Sequence, residues 1–508
     1  MLACATSAVL SGVEAIGVDV EVSIAQGLPT FNIVGLPDTS VSEARDRVRA
    51  ALAHSGQEFP LQRVTVNLAP SEVPKHGPAL DLAVALALLA ANRKLPADGL
   101  RDRLFLGELG LGGEVRAVRG SLASAEVART RCIGQVVCPS DNASEAAMAG
   151  VAAVPVSTLK DAIEVVKGHR TDAVTACPDE YLSEPASGDL DLAQIRGQDQ
   201  AKRAIEIAAA GGHNLLLSGP PGAGKTLLAR ALPAILPRMM LTEALEVTRI
   251  HSAAGLLPTG EGLVRARPFR APHHGVSVAG LVGGGTSWVR PGEVTLAHRG
   301  VLFLDEFAEF PRSCLEALRQ PIEDGRVTVS RSRQTVTYPA RIMLVAAMNP
   351  CPCGHRDSDT PCRCTPYTLH AYRQRISGPL LDRIDLHVSV GRVESEDLLE
   401  EVSAERSDDV RDRVEAARTL AAERLREIGA SCNAEIGPGR VLAFCGPDRR
   451  GARALERAAR SWRLSARAIH RSLRVARTIA DLAGRDGLCE DDVLEALTYR
   501  VPQGEVRT

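Results

Sequence analysis

Aromatic residues are scarce: two Trp, five Tyr and eight Phe make up 3% of the 508 residues. Stacking platforms of the kind single-strand binders use need more rings than this, so a polar or backbone-tracking contact fits any nucleic-acid partner better. An excess of either charge is also missing. Sixty Lys and Arg stand against sixty-two Asp and Glu, a formal net charge of −2, so a polyanion can be met only by local patches. No apolar run is long enough to span a bilayer. The longest, Ala79 to Ala91, has 13 residues and carries Asp81, short of the roughly 20 required, and reads as a buried helix. The first residues lack the basic region of a secretory signal, and a cytoplasmic protein is expected. Cysteine is too sparse for a disulfide scaffold, twelve in all, yet four fall between Cys351 and Cys364.

At roughly 150 residues per domain the length argues for about three domains, and 45% apolar with 24% charged residues is ordinary globular usage. Residues 1–168 alternate β-rich runs such as Gly17 to Val22 and Val64 to Leu68 with Ala/Leu-rich helical runs, an α/β pattern. Residues 169–191 are polar, acidic and broken by proline, and read as a linker. Residues 192–393 form a second α/β block. Residues 394–508 are rich in Arg, Glu, Ala and Leu at helical spacing, and read as all-helical.

The second block carries the strongest signal. Asn214-Leu215-Leu216-Leu217-Ser218 reads as a buried strand. It runs into Gly219-Pro220-Pro221-Gly222-Ala223-Gly224-Lys225-Thr226, and a helical run from Leu227 to Leu232 follows. Strand, glycine-rich loop and helix in this order make a phosphate-binding loop. The glycines let backbone N–H groups turn in around a phosphate while the helix N-terminus adds positive dipole. Lys225 reaches the β/γ oxygens and the Thr226 hydroxyl takes a place on Mg²⁺. ATP and Mg²⁺ are the expected cofactors. A second strand, Val301 to Leu304, ends in Asp305-Glu306, where one carboxylate can hold the metal and its neighbour polarise an attacking water. A third, Ile342 to Met348, ends in Asn349, whose amide suits a water beside the γ-phosphate.

The order of Gln194-Ile-Arg-Gly-Gln198, the phosphate loop, Asp305-Glu306, Asn349 and Leu380-Leu-Asp-Arg383-Ile-Asp385 resembles the AAA+ ATPases, in the branch with magnesium chelatases and MCM helicases. The closest likeness is to the YifB/ComM family of Mg-chelatase-like proteins. It spans nearly the whole chain and includes the run Asn349-Pro-Cys-Pro-Cys-Gly354. The resemblance implies a multidomain α/β fold with an N-terminal Lon-protease-like (ribosomal-S5-like) domain, an AAA+ P-loop core and a C-terminal helical lid. It also implies that Asp305 and Glu306 are the Walker B pair, Asn349 is sensor 1, Arg383 is an arginine finger and Arg467, near a helix start that Ser465 can cap, is the sensor 2 arginine. A finger from the next subunit stabilises charge that develops only in the transition state, so hydrolysis becomes conditional on assembly, here a hexamer. The ordinary alternative for Arg383 is an ion pair with Asp382 or Asp385.

In the first block, Val64 to Leu68 and Val73 to Asp81 resemble the Lon protease domain. The positions of the nucleophile and its base hold Ala79 and Leu122, which can neither attack nor accept a proton, so the domain is expected to be non-catalytic. Lys75 reads as an ordinary solvated loop residue.

Nucleic acid has three candidate contacts. The insertion from His273 to Glu293 contains a Gly-Gly-Gly run, and loops at this place in the related helicases face a central pore. A hairpin pattern from Val327 to Tyr338 puts Arg331 and Arg333 at its tip, where they suit phosphates or simply water. Eight arginines, Arg453, Arg457, Arg460, Arg463, Arg467, Arg471, Arg474 and Arg477, recur at steps of three or four. This spacing suits phosphate binding, the ATP site or a subunit interface. Cys351, Cys353, Cys362 and Cys364 suit tetrahedral Zn²⁺, with free thiols as the alternative.

Three functions are compatible with these readings: an ATP-driven, hexameric DNA motor for branch migration or remodelling of recombination intermediates, the subunit of a magnesium chelatase, and, against the missing nucleophile and base, a Lon-like protease.

Overall fold

The computed structural model describes residues 1–176, 190–285, 289–330, 335–356, 361–392 and 405–500. In the first block, Glu14–Ala25 turns Val18, Val20, Val22 and Ile24 inward and Asp19, Glu21 and Ser23 outward, the period of two of a strand covered on one side. It pairs antiparallel with both Leu2–Ser11 and Arg63–Ala69. The seven-stranded sheet runs Thr30–Val34, Arg63–Ala69, Glu14–Ala25, Leu2–Ser11, Arg103–Phe105, Gln135–Pro139, Ala152–Val156. Helix Asp81–Ala91 has no polar face, and every residue in it is buried at the centre of this core.

Lys75 departs from the sequence expectation, because it is fully buried rather than solvated. Its backbone pairs with Leu36 and Asp38, which turns the side chain inward, and its ammonium donates to the Pro70 carbonyl. Burial pushes its pKa down.

The second block is built on a five-stranded sheet ordered Phe269–Arg270, Val301–Leu304, Met343–Met348, Leu215–Ser218, Leu386–Ser389, with every pairing parallel. Its three central strands are continuous apolar runs because both faces are covered, whereas Glu14–Ala25 and Arg63–Ala69 of the first block alternate. Parallel strands bring all their carboxyl ends to one edge and all their amino ends to the other. Ligands in such sheets sit beyond the carboxyl edge.

The third block contains helices and no strand among its described residues. Ser407–Leu425, Arg449–Ser461, Ala466–Leu482 and Glu490–Thr498 are the longest. Ser465 caps Ala466–Leu482 by accepting from the Ala468 N–H. Val410, Leu473 and Val493 join Leu215, Val345 and Val388 in one apolar cluster, and the block packs against helices Asp199–Gly211 and Lys225–Ile235, which lie against the parallel sheet.

Helix Leu241–Ala254 joins the first block to the second. Its Ala244 and Val247 pack with Leu104, Leu122 and Val136. Its Ser252 donates to the buried Glu145 carboxylate, which also accepts from the Leu122 N–H at 2.7 Å and the Asn142 amide at 3.2 Å. Leu122 is thus a core residue at a domain junction.

Candidate active site

At the carboxyl edge, Leu215–Ser218 leads into the phosphate loop and helix Lys225–Ile235 follows. Gly222 and Gly224 have φ of +79° and +88°, left-handed values that glycine holds without strain, and nothing lies within 4 Å of the place a Cβ would take. The loop therefore leaves room for a phosphate beside Lys225. The Lys225 ammonium donates to the carbonyls of Gly219 (2.7 Å) and Pro220 (2.8 Å) and to Asn349 Oδ1 (3.3 Å). Its pKa is lowered by burial, while Asp305 acts in the opposite sense. The Thr226 hydroxyl donates to Asp305 Oδ2 at 3.0 Å, placing hydroxyl and carboxylate side by side as a Mg²⁺ site requires. Gln198, at the end of the Gln194 to Gln198 motif, donates to the carbonyls of Ala223 (3.3 Å) and Gly391 (2.6 Å) and so ties that motif to the loop.

These residues fit a Mg²⁺-nucleotide. The loop N–H groups, Lys225 and the helix N-terminus would hold the phosphates and Thr226 with Asp305 would hold the metal, while Asn349 meets Lys225 from the neighbouring strand. Bound Mg²⁺ supplies charge neutralisation on the phosphate oxygens.

Glu306 is turned elsewhere. Its backbone is left-handed at φ +52°, and its carboxylate lies 2.9 Å from His274 Nδ1 in the insertion after the edge strand Phe269–Arg270. The His274 ring lies 4.0 Å from that of His273 and stands edge-on to Phe310. Sequence reasoning placed His274 in the insertion but not against Glu306. The two are 32 positions apart, and no local pattern announces the pair.

Arg383 and Arg467 do not join this group. Arg383 precedes strand Leu386–Ser389, which runs parallel to Leu215–Ser218 with Leu215 opposite Leu386. It therefore stands at the amino edge, one strand length, about 13 Å, or more from the phosphate loop. Its guanidinium pairs with Glu323 rather than with Asp382 or Asp385, the partners expected for an ordinary ion pair, and also donates to the Pro379 carbonyl at 2.8 Å. The paired Arg383, with Arg467 and Arg471 near by, holds Glu323 below the usual carboxylate range against the opposing effect of burial. Arg467 is exposed and, with Glu323, Asp385 and Arg471, lines a cleft of about 800 Å³ at the same amino edge. One protomer thus assembles Lys225, Thr226, Asp305 and Asn349 on one edge and presents Arg383 and Arg467 on the other.

The arginine stripe divides. Arg453, Arg457, Arg460, Arg463 and Arg467 are exposed, whereas Arg474 and Arg477 are buried and Arg471 is half-buried. Arg477 pairs with Asp481 at 2.9 Å and Arg471 with Asp385 at 2.6 Å, so these two arginines are engaged in internal ion pairs. Arg331 and Arg333 lie outside the described residues, as does Trp288 of the insertion. The strands that flank the two arginines, Arg326–Ser330 and Thr335–Pro339, pair antiparallel.

Directly after Asn349 the chain gathers four cysteines. The Sγ atoms of Cys351, Cys353, Cys362 and Cys364 lie within 4.8 Å of one another. Three of the separations are 3.4, 3.7 and 3.6 Å. A tetrahedron of four sulfurs with roughly 2.3 Å bonds to zinc has edges of roughly 3.8 Å, so the cluster has the size for that ion. Backbone N–H groups of His355 and Arg363 pull the Cys353 thiol down to about 6. Gly354, φ +78°, turns this knuckle against the phosphate loop: a Cβ there would come within 2.7 Å of Pro221.

A parallel five-stranded sheet with a phosphate loop, an acidic strand end and a polar strand end at its carboxyl edge, under a helical lid, defines a P-loop ATPase of the AAA+ type. Family comparison agrees. The family described as magnesium chelatase, subunit ChlI, matches residues 191–398, and two further ChlI descriptions match 20–142 and, as the C-terminal part, 404–500. An uncharacterized protein of Mycobacterium tuberculosis is 44% identical over 497 residues, 98% of each chain. YifB of Escherichia coli, itself uncharacterized, is 42% identical over 96% of this chain and 95% of its own. Competence protein ComM of Haemophilus influenzae is 41% identical over 98% and 97%. The chain belongs to the YifB/ComM family of Mg-chelatase-like AAA+ proteins. No described helix is long and apolar enough to cross a membrane.

Proposed function

We propose that this protein is an ATP-driven DNA motor, a cytoplasmic hexameric ring that performs helicase or branch-migration work on recombination intermediates, including those of DNA uptake. The observation that carries the reading is the division of the ATP-site residues between opposite edges of one sheet. In a head-to-tail ring the amino edge of one copy faces the carboxyl edge of the next, so Arg383 and Arg467 serve the neighbour's nucleotide. Lys225 then holds the γ-phosphate, Asp305 and Thr226 the Mg²⁺, Asn349 orients the water beside the γ-phosphate, and Glu306, once free of His274, polarises that water. Arg383 stabilises the charge that builds up in the transition state.

The DNA part of the proposal is supported by the likeness to a competence protein and by the basic sequence Arg331-Ser-Arg333 between the paired strands Arg326–Ser330 and Thr335–Pro339. The four cysteines are assigned structural Zn²⁺, which stiffens the chain after Asn349. The first block, with Ala79 and Leu122 where a Lon-type nucleophile and base would stand, acts as a non-catalytic platform.

ATPase measured with single-stranded, duplex and four-way-junction DNA tests the reading. Stimulation of severalfold or more is expected, weakening as salt rises because phosphate contacts release counterions. A rate indifferent to every DNA would overturn it. The family matches favour one alternative, a chelatase-type motor for metal insertion. That reading requires stimulation by partner subunits and porphyrin instead.

A further inference from the structure

The Arg383 guanidinium is half-buried against Glu323 at the amino edge, and its backbone is held from inside as well. Its carbonyl accepts from Arg471 Nη1 at 2.9 Å, on lid helix Ala466–Leu482, and from Asn214 Nδ2 at 3.2 Å, at the foot of the phosphate-loop strand. The same Arg471 nitrogen donates to Asp385 Oδ1 at 2.6 Å, and Asp385 Oδ2 accepts from the Asn214 N–H at 3.1 Å. Asn214 Oδ1 in turn accepts from the Leu344 N–H at 2.8 Å, on the strand that ends near Asn349. His213, wholly buried beside Asp385, reaches Thr478 on the same lid helix at 2.8 Å.

Asp385 is buried, and burial by itself would raise its pKa. The Arg471 charge and the His213 contact outweigh that and hold it well below the usual range, so the carboxylate is a fixed anchor for Arg471. Two ties to one carbonyl, from two different bodies of the protein, are more than a turn before a strand needs. Either body, on shifting, moves the residue whose side chain faces the next subunit. A catalytic guanidinium must be held to within about half an ångström of its working place, so such ties decide whether it reaches.

We propose that Arg471, anchored by Asp385 and assisted by Asn214, is a positioning residue that locks the backbone of Arg383 to the lid, so that the lid posture of one protomer sets the arginine it offers to the next. Nucleotide in one site, by moving the lid, is thereby reported to the neighbouring site. The inference rests on the proposed sharing of the ATP site, and adds to it a tie between the lid of one protomer and the arginine it offers to the next.

Mixing variants tests it. Arg471→Ala protein alone should lose at least tenfold in turnover while binding a fluorescent ATP analogue with unchanged affinity, because its own phosphate loop is intact. Mixed with Lys225→Ala protomers, which lack a working loop but keep a sound finger, it should regain activity, up to roughly a quarter of the sites in an equal random mixture. Mixed with Arg383→Ala protomers it should regain none, since neither partner offers a sound finger. Arg471→Lys, which keeps a donor near both oxygens, should show partial loss with the same pattern of rescue, and it serves if the alanine variant does not fold. Rescue by Arg383→Ala but not by Lys225→Ala would assign Arg471 to its own protomer's site and overturn the inference. If Arg383→Ala and Lys225→Ala proteins fail to rescue each other, the shared site itself is wrong.

Discussion

Replacing Gly354 by alanine probes the contact between the cysteine knuckle and the phosphate loop. Two effects separate cleanly. The left-handed φ of +78° costs a residue with a Cβ about 1 kcal/mol wherever it occurs. The second effect belongs to this place alone: the new methyl would stand 2.7 Å from Pro221, where ordinary contact begins at 3.4 Å, so the loop has to retreat by about 0.7 Å. Misplacement of reacting groups by about 1 Å costs on the order of a hundredfold, so kcat/KM for ATP should fall between roughly tenfold and a hundredfold. Gly150→Ala is the matched control. Its φ is +76° and nothing lies within 4 Å of the added carbon, so it should lose similar stability and no activity. Steady-state ATP hydrolysis and thermal melting of both variants give the comparison. Equal ATPase in the two variants would refute the claim that the knuckle buttresses the loop.

Three further outcomes are expected. Purified protein should contain about one zinc per chain, and Cys351→Ser with Cys362→Ser should lose both the metal and ATPase; zinc far below one per chain ends that assignment. His274→Ala releases the Glu306 carboxylate, so hydrolysis without DNA should rise severalfold and further stimulation by DNA shrink; a fall in the unstimulated rate would show that His274 aids catalysis instead. Acid should destabilise the fold before carboxylates titrate. Burial, with Arg500 near by, holds His387 down to about 4, and burial also lowers His213, His251 and His298. An unfolded histidine takes its proton near pH 6.5, so the unfolded state binds more protons between about 6.5 and 4 and stability falls as pH falls through that window. His387 alone accounts for about 2 kcal/mol at pH 5; melting temperatures equal at pH 7.5 and 5 would contradict this.

Residues whose roles depend on their immediate neighbours were legible in the sequence. The run from Asn214 to Leu232 announces strand, loop and helix by itself, Val301 to Glu306 announces an acidic strand end, and Ser465 announces a helix start, because each is fixed by local backbone chemistry. Helical spacing likewise places Arg471, Arg474 and Arg477 on one face. It does not say what lies opposite, and acids far away in the chain or along the helix, Asp385 and Asp481, turn that face into an internal seam. Lys75 differs from its sequence expectation for the same reason: loop composition predicts water, while pairing with Leu36 and Asp38 accompanies burial. The separation of Arg383 from Lys225 follows only once the strands are known to be parallel and neighbouring, which a motif order does not contain.

With Arg383 and Lys225 on opposite edges of its sheet, a single protomer is expected to be unable to hydrolyse ATP by itself. Turnover per protomer, followed across a dilution series beside sedimentation of the same samples with nucleotide, tests it most directly. Activity per protomer should collapse as rings dissociate and return with reassembly. Undiminished turnover from a sedimenting monomer would contradict it.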